Sequence, residues 1–176
     1  MLAGMVAFAA VLPPSLSRLD FMMVGCGNDG MIAVAAALPS LLRLTDLDCG
    51  HNPRIGDAGF SAFAGALPQL PELGFVCASG STSLGLEGAL AIAAALRPAV
   101  AAAAGGAAAP AAPAAAPAPA AVAPAAQCLK LSHFELDGCS AIPDSGRQAL
   151  QSAWEAHVSA ARPSPLDACD AAIGGL

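Results

Sequence analysis

The sequence predicts an α/β fold built by stacking one short strand–helix unit, and three observations carry that expectation. A glycine that opens an apolar helix-like stretch recurs at Gly30, Gly59 and Gly88, 29 residues apart, and again at Gly146, 58 residues beyond Gly88. Large apolar residues follow four places later (Val34, Phe63, Ile92, Leu150) and eight places later (Leu38, Leu67, Leu96, Trp154). Residues four apart share a helix face, so each copy holds a short helix with one buried stripe. Before each helix lies a strand-like segment in which apolar residues are spaced as L-x-x-L-x-L. A single unit of this kind cannot bury its apolar face, whereas stacked neighbours can.

Taken in order, the strand segments read Leu19, Met22, Val24; then Leu44, Leu47, Cys49; then Leu73, Val76, Ala78; then Leu131, Phe134, Leu136. The ninth place of each frame holds Gly27, Asn52, Ser81 and Cys139. Between strand and helix, residues 55–59, 84–88 and 142–146 align without gaps, and the first copy is expected to be four residues shorter. Gly4, Phe8, Leu12 and Pro13 match Gly30, Val34, Leu38 and Pro39 place by place. Met1 is therefore read as opening on a repeat helix. A secretory signal is the weaker reading, because no positive charge precedes the apolar run. No polar capping repeat is visible, so the chain is expected to be a fragment or to start at an internal Met.

The combination of L-x-x-L-x-L-x-x-N/C, a G-D-x-G turn and a helix ending in A-L resembles leucine-rich repeats of the ribonuclease-inhibitor-like subfamily. Residues 44–67 fit the pattern best, and the resemblance covers nearly all of residues 1–98 and 128–157. It implies a solenoid with short parallel strands on the concave side and helices on the convex side. Residues 1–98 then hold repeats, the first incomplete, and 127–158 hold a further one. Between them, 99–126 is an Ala/Pro-rich low-complexity linker, expected to be a disordered insertion; 159–176 is a tail without a clear motif. Loop-closure entropy grows only logarithmically with length, so the strand at 131–136 can still pair with that at 73–78. Five prolines, Pro110 to Pro124, exclude a membrane helix in the linker.

Composition narrows function further. A net charge of −6, with seven Lys and Arg and no basic run, argues against nucleic acid as partner. Six cysteines without a C-x-x-C pair give no zinc site and fit a reduced, cytoplasmic compartment. No phosphate-binding, dinucleotide, nucleophile-elbow or zinc-protease motif occurs, so neither an enzyme nor a cofactor is expected.

Alternation along a strand puts the residues between the apolar places on the open face. The expected partner-binding set is Phe21, Met23, Asp46, Asp48, His51, Phe75, Cys77, His133, Glu135 and Asp137. Such a mixed apolar and acidic strip suits another protein with a basic rim and an apolar anchor. His133, Glu135 and Asp137, like Asp46, Asp48 and His51, combine imidazole with carboxylates. Polar residues alternate on any solvated sheet, however, and no metal is assigned. Two alternatives to a binding module follow from the resemblance. One is assistance of GTP hydrolysis, as in Ran GTPase-activating proteins, with Arg54 in the strand-to-helix loop. The other is a structural piece of a larger leucine-rich-repeat receptor or scaffold.

Overall fold

The computed structural model describes residues 2–97 and 130–161. The expected linker at 99–126 and the tail beyond 161 lie outside the described residues. Among the described residues, four strands and five α-helices alternate: α1 (Leu2–Ala10), β1 (Arg18–Asp20), α2 (Asn28–Ala37), β2 (Asp46–Asp48), α3 (Asp57–Ala66), β3 (Phe75–Cys77), α4 (Leu86–Leu96), β4 (His133–Glu135) and α5 (Asp144–Ala161). The strands form one parallel sheet in the order β1-β2-β3-β4. Each helix packs on the next in sequence, from α1 to α5. Strands β3 and β4 pair directly, Val76 opposite Phe134, so the unit after residue 129 continues the same sheet.

The observed register corrects the expected frame of the first copy. Leu19 lies opposite Leu47, which lies opposite Val76. The first apolar triplet is therefore Leu16, Leu19 and Phe21, three residues earlier than expected, and its ninth place is Val24 rather than Gly27. Phe21 is 3% exposed, whereas Val24, expected in the core, is 46% exposed. The first copy is one residue short between strand and helix, not four: Phe21 to Gly30 spans nine positions and Cys49 to Gly59 spans ten.

Each strand leaves through a left-handed residue: Met23 (φ 57°), His51 (φ 54°), Gly80 (φ 73°) and Gly138 (φ 73°). Glycine adopts this conformation freely, while Met23 and His51 pay a steric cost of about 1 kcal/mol or more. The turn is held across units, since the Met23 N–H donates to Gly50 O (3.1 Å) and the His51 N–H to Ser79 O (2.6 Å).

Helices α2, α3 and α4 begin at Gly27, Gly56 and Gly85, none of which offers a side-chain cap. Two of these starts are capped by the preceding unit. Asn28 Oδ1 accepts from Gly56 N–H (2.7 Å) and Gly59 N–H (3.2 Å). Asp57 Oδ1, one repeat later, accepts from Gly85 N–H (2.7 Å) and Gly88 N–H (3.0 Å). Helix-start N–H groups have no partner within their own helix, so this arrangement ties neighbouring units together. The recurring glycine lets the helices approach this closely. A Cβ at Gly88 would lie 2.6 Å from Leu84 Cδ1 and 3.1 Å from the Asp57 Cα.

The predicted stripe residues Val34, Phe63, Ile92, Leu38, Leu67 and Leu96 are all buried between helices and sheet, as are Leu44, Leu47, Leu73, Val76 and Leu131. Phe8, the counterpart in α1, is 36% exposed because α1 has a helical neighbour on one side only among the described residues. Pro39 and Pro68 open short 3-10 turns that end α2 and α3 and send the chain back to the sheet. Residues 154–161 contain no proline, and α5 continues to Ala161, three residues past the expected boundary at 158.

Candidate functional site

The open face of the sheet is organised in rows, because parallel pairing sets equivalent residues about 4.8 Å apart. One row runs Arg18, Asp46, Phe75, His133, and the next runs Asp20, Asp48, Cys77, Glu135. The residues between these rows (Leu19, Leu47, Val76, Phe134) point to the core side, as the exposed–buried–exposed pattern of β1 shows.

Of the expected partner-binding residues, Asp46, Asp48, Phe75, His133 and Glu135 lie on this face, half-buried or exposed. Asp137 is exposed just beyond β4. The Phe75 and His133 rings are neighbours, with centroids 6.4 Å apart. Three expected members belong elsewhere. Phe21 is a core residue, because its place is that of Cys49 and Ala78. Met23 sits on the left-handed turn, and His51 takes the corresponding turn in the next unit; both side chains are exposed. Cys77 keeps its place in the acidic row but is only 8% exposed, so a surface role for it is corrected to a buried one. Sequence reasoning missed Arg18 and Asp20, which the register adds to the two rows. The available signal was the shared Leu-Asp pair, Leu19-Asp20 and Leu47-Asp48.

The acidic row is partly preorganised. Asp20 Oδ1 accepts from the Met22 N–H (3.0 Å) and Asp48 Oδ1 from the Gly50 N–H (2.9 Å). These bonds fix each carboxylate and leave its second oxygen uncommitted among the described residues. The single ion pair among the described residues, Lys130 with Glu72 at 2.8 Å, joins exposed side chains that belong to neither row. Asp20, Asp46, Asp48, Glu135 and Asp137 therefore have no cationic partner within salt-bridge distance among the described residues. Among them, also, no group of three or more His, Cys, Asp and Glu is gathered closely enough for a metal ion. Arg54, the residue singled out for GTPase assistance, is exposed and borders an open cleft with Met5, Val24, Asn28 and Asp29.

The thiols of Cys26, Cys49, Cys77 and Cys139 are all free and buried. Burial pushes each of them up, and nearby Asp48 adds to the effect at Cys49. A thiol held protonated by the fold contributes stability that is present in full below the ordinary value of 9.0 and is lost as pH rises above it. For Cys49 alone, stability at pH 10 is expected to be lower than at pH 8 by on the order of 1 kcal/mol. Urea midpoints at the two pH values check this, with Cys49→Ala expected to flatten the dependence.

No helix among the described residues is long and apolar enough to cross a membrane. No protein-family model matches the chain, and no curated protein is detectably similar to it.

Proposed function

We propose that the chain is a leucine-rich-repeat solenoid serving as a non-catalytic protein-binding module, with the open face of its sheet as the binding surface. The observation that carries this reading is the row Asp20, Asp48, Glu135, with Asp46 and Asp137 beside it and the Phe75–His133 pair adjoining. Carboxylates without a salt-bridge partner among the described residues, two of them held by backbone N–H groups and next to an aromatic patch, are complementary to a protein segment with Lys or Arg around an apolar anchor. The sheet order, identical to the chain order, and steps of 28 and 29 residues support the solenoid. Four buried free thiols are consistent with the reducing environment of the cytoplasm.

The test is anisotropy titration of a panel of labelled peptides carrying Lys and Arg around a Phe or Leu anchor. Binding is expected to weaken as salt rises and to fall at least about 100-fold in the Asp48→Lys, Glu135→Lys double variant, which keeps a cooperative urea transition. A panel without a binder, or binding indifferent to the double variant, would contradict the reading.

A further inference from the structure

The outer edge of β1 is open and carries its own complement. β1 is the first strand of the sheet and pairs only with β2 among the described residues. Ser17 O accepts from the Thr45 and Asp46 N–H groups, and the Phe21 N–H reaches Asp48 O, so the odd-numbered residues here turn their backbone groups towards β2. Backbone groups alternate along a strand, so Arg18 and Asp20 turn both N–H and C=O to the outer edge. An edge of this kind is a template for a further strand.

The helix beside this edge is apolar. α1 has no polar side chain, and Val6 within it and Val11 just after it are 48% and 75% exposed. At the other end of the sheet, α5 exposes Gln148, Gln151 and Glu155.

Charge decides what fits the β1 edge. Arg18 and Asp20 lie on the open face with Leu19 between them on the core side. Arg18 has no ion-pair partner among the described residues, and neither has Asp20. When a second copy lies antiparallel with Leu19 opposite Leu19, Arg18 stands opposite Asp20 of the second copy, and Asp20 opposite its Arg18. Both are pairs that exchange N–H···O bonds, and both set opposite charges face to face. Head-to-tail stacking would instead continue the parallel rows, with Asp20 beside Glu135 and α1 against the polar surface of α5. Like charges side by side oppose that arrangement.

We propose that a second copy of this chain docks on the β1 edge, β1 against β1 and antiparallel, about a two-fold axis at Leu19. Such an interface is isologous, so one self-complementary strand serves both copies. The two α1 helices adjoin on the core side of the joined sheet and cover each other's apolar surface. Asp48 and Glu135 stay outside the interface, so the dimer and the partner-binding reading can each fail alone.

The test is sedimentation equilibrium of the full chain over a range of concentrations, where a monomer–dimer equilibrium is expected. Arg18→Asp and Asp20→Arg each replace two attractive cross-strand pairs by two repulsive ones, and each is expected to weaken the dimer on the order of 100-fold. Both side chains are exposed, so far-UV circular dichroism is expected to stay unchanged. An equimolar mixture of the two variants is expected to recover the dimer, because every cross-strand pair is again of opposite sign. A monomeric parent chain would overturn the proposal, whether the edge stays open or another segment of the same chain covers it. So would oligomers that grow beyond the dimer, a dimer indifferent to either variant, or a mixture that stays monomeric.

Discussion

Replacing Asn52 with Ala is expected to destabilise the protein by about 3 kcal/mol, more than any other single polar substitution on the sheet side. Asn52 is fully buried. Its Oδ1 accepts from the Cys26 N–H (2.9 Å), and its Nδ2 lies within donor distance of the Phe21, Cys49 and Gly50 carbonyls (3.0, 2.9 and 3.2 Å). The one-residue deletion in the first copy explains why this matters. In later units the residue equivalent to Cys26 is satisfied locally, as when Ile55 N–H donates to Asn52 O and Leu84 N–H to Ser81 O. Cys26 lacks that local turn bond and depends on Asn52. Truncation leaves a buried N–H and carbonyls unpaired, with the full desolvation penalty. Ser81 occupies the same place one unit later and is too short: its Oγ is buried without a partner among the described residues. Cys139, after it, makes only a long sulfur contact to Ala78 O at 3.5 Å. Ser81→Ala should therefore change stability by less than about 1 kcal/mol, a contrast that chemical denaturation resolves. Equal losses at the two positions would contradict the assignment of Asn52 as the pin between units.

Phe63→Ala is expected to cost about 4 kcal/mol, whereas Phe8→Ala, at the equivalent place in α1, should cost about 1 kcal/mol or less. Phe63 is fully buried in α3, which packs on both α2 and α4. Removing its ring opens a cavity that two helices and the sheet hold apart, so collapse is limited. Phe8 is 36% exposed and, among the described residues, α1 packs on α2 alone of the helices, so part of its ring is already in water. The difference tests stacking directly, because the two residues occupy one place in the repeat and differ only in their neighbours. Similar losses from urea melts of the two variants would mean that the helices do not pack as described.

The alternation of strands and helices was legible because the apolar stripe and the recurring glycine are enforced by packing. Gly30, Gly59, Gly88 and Gly146 all stand where a side chain would meet the preceding turn or a neighbouring helix. The strand frame of the first unit was not legible from leucine spacing alone. Leu19-x-x-Met22-x-Val24 satisfies the pattern as well as Leu16-x-x-Leu19-x-Phe21 does, since apolar residues of similar size are interchangeable in it. Pairing decides between them, and a shift of three residues changes which side of the strand a residue faces. Hence Phe21, expected on the open face, is in the core, and Arg18 and Asp20 are on the face. Cys77 was placed in the right row; what the spacing could not give is how deeply a small side chain sinks between Asp48 and Glu135. The left-handed turns at Met23 and His51 were also invisible, because neither residue favours that conformation and the cross-unit hydrogen bonds impose it.

The single tryptophan offers the most direct test of the central claim, that the unit after residue 129 and the units before 98 form one cooperative stack. Trp154 lies in α5, half-buried against the core and stacked on His157 at 5.6 Å. Its fluorescence reports the last unit, while far-UV circular dichroism reports all of them. Urea melts followed by both probes are expected to coincide in midpoint and slope, as a single two-state transition requires. A tryptophan transition clearly ahead of the dichroism transition would contradict the account, because β4 and α5 would then unfold independently of the sheet they extend.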